Sequence, residues 1–245
     1  MLSKVQSKYI RSLTLQKYRK EHQVFLAEGN KIALEWLSSG FPIDMILATD
    51  VWLAQNESKI SLHKEAKIYT VKPSELQSLS GLKTANQVLM VIPIPKQTCT
   101  FPVNEWTILA DGIQDPGNLG TIIRIADWFG IPNVVTSPDT VDIWHPRVVQ
   151  AAMGSHLRIH FLESDLLSFC QELKIPVLAA TLGGQNIYKL QKFNSAALII
   201  GNEGKGIRQE LLDIASHHVT IPRTGGAESL NAAVSTGILC ALLKG

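Results

Sequence analysis

The chain contains little cysteine and no long apolar run. Its three cysteines lie far apart and form no CxxC pair, so their spacing predicts neither a disulfide framework nor a zinc site and favours a reducing cytoplasm. The seven histidines show no metal-ligand spacing, and we predict no metal. The least polar stretch, 231–243, is shorter than the roughly 20 residues that a bilayer span needs, so we predict no membrane segment.

Acidic residues are absent from the first 20 positions, although the net charge of the whole chain is only +2. The cations that precede the first acid, Glu21, are Lys4, Lys8, Arg11, Lys17, Arg19 and Lys20. Such clustering supplies the sequence-independent attraction that phosphate backbones exploit. From charge alone, however, the solvated face of a helix is the favoured interpretation.

A proline-rich stretch at residues 93–102 divides the chain, because its three prolines forbid a helix and favour an extended linker. We therefore predict an N-terminal domain at 1–95, a linker at 96–104 and a C-terminal domain at 105–245. In the first domain, helical spacing alternates with short apolar runs, which indicates a small α/β domain. The predicted helices are 8–20 and 30–39, and the apolar runs are 43–48, 67–71 and 87–92.

The C-terminal domain shows a clearer alternation of strands and helices. The predicted strands are 106–110, 133–136, 158–161, 177–180, 196–200 and 218–221. The predicted helices are 120–130, 146–154, 165–173, 207–215 and 229–243. Because the strands are almost continuously apolar, we predict an α/β fold with a mostly parallel sheet covered on both faces.

Three polar, glycine-bearing segments adjoin strands of this domain, at 115–124, 201–206 and 221–231. The carboxyl ends of parallel strands meet at one edge of a sheet, where ligands bind. The three segments are therefore expected to form one composite site.

The first segment turns from a strand into a helix and places Arg124 near the start of that helix. A guanidinium there can clamp a phosphate or a carboxylate through two parallel hydrogen bonds. Taken in isolation, a structural role is favoured, in which Asp115 or Asn118 caps the helix and Arg124 pairs with Asp127.

The second and third segments are also ambiguous by themselves. The second has neither GxGxxG nor GxxxxGK[ST] spacing, so a nucleotide phosphate loop is unsupported, and Glu203 would repel phosphates. Glu203 suits a cationic ligand or an arginine partner, but an acid that favours a helix dipole explains it equally well. In the third segment, Ser229 and Asn231 lie near a helix start, where capping is the default role.

In this order and spacing, the three segments resemble the signature motifs of the SpoU (TrmH-type) family of SPOUT RNA methyltransferases. The resemblance covers residues 106–245, and residues 7–20 and 25–29 are similar to the start of the family's L30e-like substrate-binding domain. It implies a deep trefoil knot in the C-terminal domain, which general topology rules count as rare, and a homodimer. It also implies S-adenosylmethionine-dependent methylation of a ribose 2′-hydroxyl in structured RNA.

The same resemblance implies roles for individual residues. Catalytic or substrate-orienting groups are expected at Asn118, Arg124, Glu203, Ser229 and Asn231. Cofactor contacts are expected at Thr181, Gly183, Ile200, Gly201, Ile221 and Leu230. Because a guanidinium stays protonated, we expect Arg124 to stabilise the developing alkoxide and to grip an adjacent phosphate rather than to act as a simple base.

An RNA substrate also changes the interpretation of the N-terminal cations. Lys17, Arg19 and Lys20 are then predicted to contact phosphates, which gives grip rather than sequence recognition. Ribosomal RNA is favoured over transfer RNA by analogy, since a separate L30e-like domain more often accompanies ribosomal targets in the family. The alternatives are a transfer RNA methyltransferase, a non-catalytic RNA-binding protein on the same fold, and a small-molecule enzyme on a doubly wound sheet.

Overall fold

The computed structural model describes residues 2–82, 84, 86–95 and 104–245. The chain forms two compact units, one made of Met1–Lys96 and Asp142–Leu157, the other of Gln97–Val141 and Arg158–Gly245. The predicted linker lies outside the described residues except for its last position, Asn104. The segment Asp142–Leu157, which follows the predicted linker by many residues, thus belongs to the first unit.

The helices and strands follow one another along both units, and their bounds are as follows. The helices are α1 (Lys4–Ser12), α2 (Gln16–His22), α3 (Asn30–Ser38), α4 (Asp50–Gln55), α5 (Glu57–Ile60), α6 (Pro73–Leu79), α7 (Pro116–Trp128), α8 (Pro146–Ala152), α9 (Leu166–Glu172), α10 (Gln209–Ile214) and α11 (Ala232–Leu243). The strands are β1 (Val24–Glu28), β2 (Met45–Ala48), β3 (Lys67–Thr70), β4 (Val88–Pro93), β5 (Thr107–Asp111), β6 (Asn133–Thr136), β7 (His160–Glu163), β8 (Val177–Asn186), β9 (Ala197–Gly201) and β10 (His217–Thr220).

The first unit is built on a four-stranded mixed sheet in the order β1-β4-β2-β3. Strand β4 is antiparallel to both neighbours, whereas β2 and β3 are parallel. Successive side chains of β1 enter different cores, Phe25 beside Trp36 on one face and Leu26 beside Ile10 on the other. This alternation is the period of two expected of a strand that is buried on both faces. The sequence patterns do not predict β1, α4, α5 or α6.

The predicted helix at 8–20 is wrong in one respect, because two helices, α1 and α2, occupy this region. The side chain of Arg19 is only 1% exposed and lies at the break. Its Nη1 donates hydrogen bonds to the carbonyls of Leu13 (2.9 Å) and Thr14 (2.8 Å), and its Nε and Nη2 donate to Asp142 (3.0 and 2.5 Å). The guanidinium therefore satisfies backbone carbonyls that a continuous helix would have bonded internally.

The second unit contains a six-stranded sheet in the order β10-β8-β9-β5-β6-β7, and every pair is parallel. This confirms the α/β prediction of a mostly parallel sheet. Leu109, Val135 and Ile199 form a core with residues of α9 and α10. Helices α7 and α11 pack against each other, with Gly237 of α11 close to Ile125 of α7.

The strand order of this sheet reverses at β5. The chain runs from β5 outward through β6 and β7, and later returns to the other side of β5 with β9. The carboxyl ends of β5 and β9 therefore flank a topological switch point, the place where open parallel sheets bind ligands. The trefoil knot stays a prediction. None of the helices in the described part of the chain combines the length and the apolarity of a membrane span.

We expect His156 to make the folding stability of this protein fall at acidic pH. The residue is buried, and its Nε2 lies 2.8 Å from the carbonyl oxygen of Ile143. Burial lowers the pKa of His156 from 6.5 to about 4. The unfolded chain thus binds a proton at this histidine more tightly than the folded chain does. The contribution of neutral His156 to the free energy of unfolding is therefore fully present above pH 6.5, and ~3 kcal/mol of it is lost as the pH falls towards 4.

Urea denaturation at neutral pH and near pH 4.5 measures this loss. His156→Gln should reduce the difference in unfolding free energy between the two pH values, whereas His160→Gln, which changes an exposed histidine, should not. An unchanged pH dependence in His156→Gln would contradict the assignment.

Candidate active site

The three glycine-bearing segments come together through a chain of side-chain hydrogen bonds. Asn231 Nδ2 donates to Asn118 Oδ1 at 2.8 Å, and Asn118 Nδ2 donates to Glu203 Oε1, also at 2.8 Å. One residue from each segment thus takes part, although the segments are far apart in the sequence. We call this chain, Asn231–Asn118–Glu203, the amide–carboxylate chain.

Helix caps hold two members of the chain in place. Asp115 caps α7 by accepting a hydrogen bond from the N–H of Asn118 (2.8 Å), and Pro116 occupies the first helical position. Asn231 caps α11, because its Oδ1 accepts from the N–H groups of Ala233 (3.0 Å) and Val234 (3.2 Å). Asn231 therefore combines the capping role with the contact to Asn118, using its oxygen for one and its nitrogen for the other.

Glu203 forms the acidic end of the chain. Besides Asn118, its carboxylate accepts from the backbone N–H groups of Gln114 and Asp115, both at 3.3 Å. Burial raises the pKa of Glu203, but hydrogen bonds from Asn118 and from backbone N–H groups outweigh it and hold the pKa below its ordinary value of 4.5. Glu203 is therefore a carboxylate at neutral pH, and its charge lies beside the start of α7, where the helix dipole favours an anion.

A tight turn after β9 presents Glu203. Backbone hydrogen bonds join Asn202 and Gly206 in both directions (3.0 and 2.9 Å), and a Cβ at Gly201 would overlap the backbone of Gly206. Asn202 Oδ1 accepts from two N–H groups of the turn, and its Nδ2 donates to the carbonyl of Gly112 at 2.6 Å. Asn202 thus ties the turn after β9 to the turn after β5 across the switch point.

An ion pair links the end of β5 to the start of α10. Asp111, only 2% exposed at the end of β5, accepts from Arg208 Nε at 2.7 Å and from the backbone N–H of Arg208 at 2.9 Å. A carboxylate buried to this extent needs such a partner. Asp111, Asn202 and Arg208 are positioning residues that were not predicted from the sequence, because no local pattern relates residues that are so distant along the chain.

Arg124 lies on the exposed side of α7, and no residue that the structure describes forms a hydrogen bond or ion pair with its guanidinium. The alternative partner, Asp127, is bonded by Arg158 instead, with Nη2 at 2.8 Å. Arg124 is about 9 Å beyond Asn118 along the helix axis and is not part of the amide–carboxylate chain. Its cation is thus available to a ligand.

Thr181 and Gly183, two of the predicted cofactor contacts, lie in an excursion of β8. Ala179 pairs with His218, but the next residue of β10 pairs with Gln185, so residues 180–184 leave the ladder between the two strands. Gly184 closes the excursion, since a Cβ there would lie 2.5 Å from the backbone of His218.

Two features of this excursion suit a ligand. The hydroxyl oxygen of Thr181 is buried and has no hydrogen-bond partner among the described groups. Two residues further on, a Cβ added to Gly183 would meet no atom within 4 Å, so open space adjoins the backbone there. A buried hydroxyl without a partner is a group that a bound polar ligand would complete.

The other predicted residues differ in their surroundings. Ile200 is buried at the end of β9, and Ile221 is partly buried after β10, whereas Leu230 is half exposed. Ser229 is exposed and precedes the N-cap of α11, so it is neither the cap nor a described member of the amide–carboxylate chain. Its predicted role stays a prediction.

The structure contradicts the prediction that Arg19 contacts RNA. Its guanidinium is only 1% exposed, and four of its five N–H groups are bonded to Leu13, Thr14 and Asp142, so a phosphate has no access to it. Lys17 and Lys20, in contrast, are exposed on α2.

Within the described ranges, no three His, Cys, Asp or Glu side chains are grouped as a metal site.

Two protein-family models match the chain. The model of the SpoU rRNA Methylase family matches residues 105–241, and that of the MRM3-like substrate binding domain matches 4–90. The chain is 32% identical to the 23S rRNA (guanosine(2553)-2′-O)-methyltransferase RlmP of Bacillus subtilis over 96% of this chain and 94% of that protein. The chain belongs to the SpoU rRNA methylase family.

Solved structures agree with this assignment. A TrmH-family protein from Porphyromonas gingivalis matches 100% of this chain and 98% of its own, with a TM-score of 0.87 and 36% identity. An AdoMet-bound rRNA methyltransferase from Sinorhizobium meliloti matches 98% of this chain and 95% of its own, with a TM-score of 0.85 and 28% identity. The predicted resemblance to the SpoU family is thereby confirmed.

Asn231→Asp tests whether the SpoU motifs depend on the amide–carboxylate chain. Aspartate is an equally good N-cap, so we expect the free energy of unfolding to change by less than about 1 kcal/mol. It has no N–H group to donate to Asn118, so we expect methylation of RNA to fall at least tenfold. Urea denaturation and methyl incorporation measure the two effects, with Asn231→Ala as the variant that loses both functions. Full activity of Asn231→Asp would show that the contact to Asn118 is dispensable.

Proposed function

We propose that this protein transfers a methyl group from S-adenosylmethionine to a ribose 2′-hydroxyl of ribosomal RNA. The observation that carries the proposal is the amide–carboxylate chain, which joins all three family motifs at the switch point of the parallel sheet. The names of two relatives support the substrate, RlmP of Bacillus subtilis and the 23S rRNA (guanosine-2′-O-)-methyltransferase RlmB of Neisseria meningitidis. The second is 31% identical over 54% of this chain.

The excursion of β8 and the turn after β9 are the proposed binding site for S-adenosylmethionine. When bound, this cofactor supplies a methyl group that is electrophilic because it is attached to a sulfonium. The orphaned hydroxyl of Thr181 and the open space at Gly183 fit a polar ligand of this kind. The residues that would hold it are Thr181, Gly183, Ile200, Gly201, Ile221 and Leu230.

Glu203 orients other groups rather than accepting the proton of the 2′-hydroxyl. Its two oxygens already accept three hydrogen bonds, and its lowered pKa makes it a weak base. Asn118, held between Glu203 and Asn231, has its side chain fixed from both ends. We therefore assign Asn118, Glu203 and Asn231 to the positioning of the ribose and of the loops around it, with Ser229 beside the entry of α11.

Arg124 is the proposed electrostatic group. Its exposed guanidinium can stabilise the developing alkoxide and hold a neighbouring phosphate through parallel hydrogen bonds. Since it stays protonated, the proton of the 2′-hydroxyl passes to water or to that phosphate.

Arg124→Ala and Arg124→Lys test this role. Under saturating RNA, we expect turnover to fall about 10²–10³-fold in the alanine variant and less in the lysine variant, which keeps the charge but not the planar fork. Calorimetric affinity for S-adenosylhomocysteine should stay unchanged in both, which separates chemistry from cofactor binding. Near-normal turnover in both variants would remove Arg124 from the mechanism.

The N-terminal unit is proposed to bind RNA through Lys17 and Lys20. Each exposed lysine that neutralises one phosphate contributes about 0.7–0.9 to the slope of log affinity against log salt concentration. We expect Lys17→Ala and Lys20→Ala to weaken RNA binding and to reduce that slope accordingly. Lys64→Ala, which removes another exposed lysine of the same unit, is the matched control. Slopes equal to that of the control would refute these contacts.

We further propose that the protein is a cytoplasmic homodimer with a knotted C-terminal domain, as the family resemblance implies. Mapping of 2′-O-methyl sites in cellular RNA, with and without the gene, tests the function as a whole. The loss of one site in ribosomal RNA supports the proposal. If a site in transfer RNA is lost instead, transfer RNA is the substrate. If the methylation map is unchanged, the proposal of methylation is contradicted.

A further inference from the structure

A groove on the surface of the N-terminal unit is lined by three of the cations that precede the first acid of the chain. Its volume is about 330 Å³, and the residues that line it are Leu2, Lys4, Ser7, Lys8 and Arg11. Lys4, Lys8 and Arg11 are exposed. Because they occupy positions i, i+4 and i+7 of α1, they lie on one face of that helix.

Acidic side chains do not neutralise these charges. In the described part of the chain, Lys4, Lys8 and Arg11 form no ion pair. Arg11 Nη2 donates to a neutral group, the hydroxyl of Ser78, at 3.3 Å. Helix α6 packs against α1, but its acid, Glu75, accepts from a backbone N–H at the start of its own helix (2.9 Å). The groove therefore keeps a positive potential.

The same arrangement is unfavourable for α1 itself. Lys4 occupies the first helical position, where the positive end of the helix dipole repels a cation, and the first turn contains no acid. Lys4 and Lys8 are one turn apart, as are Lys8 and Arg11, and like charges at these spacings repel each other. Folding thus concentrates positive charge on one face of α1, and an anionic ligand would relieve the repulsion.

The groove suits the phosphates of RNA better than a membrane surface. An RNA strand presents phosphates in a row, so cations on successive turns of one helix can neutralise more than one of them, and the hydroxyl of Ser7 can donate to a phosphate oxygen. A helix that lies on a membrane inserts a broad apolar face. Among the residues of α1, Ile10 is buried in the core and Val5 alone is a large apolar side chain that is exposed.

We propose that Lys4, Lys8 and Arg11 bind neighbouring phosphates of the RNA substrate in this groove. The inference rests on the proposed function and adds a binding site on a helix other than that of Lys17 and Lys20. Phosphate contacts carry no sequence information, so the groove contributes affinity and orientation rather than recognition of a particular base.

Lys4→Glu and Lys8→Glu test this site, with unmodified 23S ribosomal RNA transcribed in vitro as the probe. Each reversal removes an attraction and adds a repulsion, so we expect RNA affinity at low salt to fall about tenfold in each variant, with the loss appearing in KM for RNA rather than in kcat. An acid at the first helical position suits the helix dipole, so the free energy of unfolding of Lys4→Glu should equal or exceed that of the wild type. Lower affinity without lower stability separates a ligand contact from a structural role.

Lys64→Glu is the matched control, because it reverses the charge of another exposed lysine of the same unit, outside α1. Its RNA affinity should stay close to that of the wild type. Calorimetric affinity for S-adenosylhomocysteine should not change in any of the three variants, because the proposed cofactor site lies in the other unit. RNA affinities of Lys4→Glu and Lys8→Glu equal to that of Lys64→Glu would overturn the proposal.

Two further measurements distinguish RNA from other anions. If inorganic phosphate displaces RNA more effectively than sodium chloride at equal ionic strength, the groove is a site for a free anion and the proposal is wrong. If the wild type binds vesicles of anionic phospholipid more tightly than RNA, and Lys8→Glu abolishes that binding, the partner is a membrane surface and the proposal is also wrong.

The affinity measurement does not depend on catalysis, so the two proposals fail separately. If the wild type binds RNA and the reversals weaken binding, but no methyl group is transferred, the proposed function is wrong and the groove stands. If RNA is methylated and the reversals leave its affinity unchanged, only the groove is wrong. If the protein binds no RNA, both are wrong.

Discussion

The hydrogen-bond chain from Asn231 through Asn118 to Glu203 is the interaction on which the site depends. Every side-chain oxygen and nitrogen of these three residues forms a hydrogen bond, because Asn231 also caps α11 and Glu203 also accepts from the backbone before α7. Three loops that are far apart in sequence are thereby fixed relative to one another. Groups ordered in this manner need no reorganisation when charge develops during a reaction, which is the physical basis of electrostatic preorganisation.

The parallel sheet creates the edge at which this chain forms. Reversal of strand order at β5 leaves the ends of β5 and β9 adjacent, and two contacts across that gap, Asp111 with Arg208 and Gly112 with Asn202, hold the turns together. Arg124 on the exposed side of α7 is different, because no described residue bonds its guanidinium. The unit thus separates groups that maintain the loops from a cation that remains available to substrate.

Three arginines illustrate how environment decides the role of one side chain. Arg19 is buried, and its donors serve the carbonyls at a helix break and Asp142. Arg208 is partly exposed and pairs with the buried Asp111. Arg124 is exposed and not engaged by described residues. Before folding all three are equivalent cations, and only the third is suited to bind a substrate anion.

The alternation of apolar strands and helices determined the parallel α/β sheet, and glycine and asparagine after the strands indicated where the site lies. These are local signals, because strand and helix periodicities and turn residues are encoded over a few positions. The burial of Arg19, the pairing of Asp111 with Arg208, the excursion of β8 and the membership of Asp142–Leu157 in the first unit were decided by tertiary structure. Each depends on strand order, register and packing between distant residues, which no local pattern in the sequence specifies.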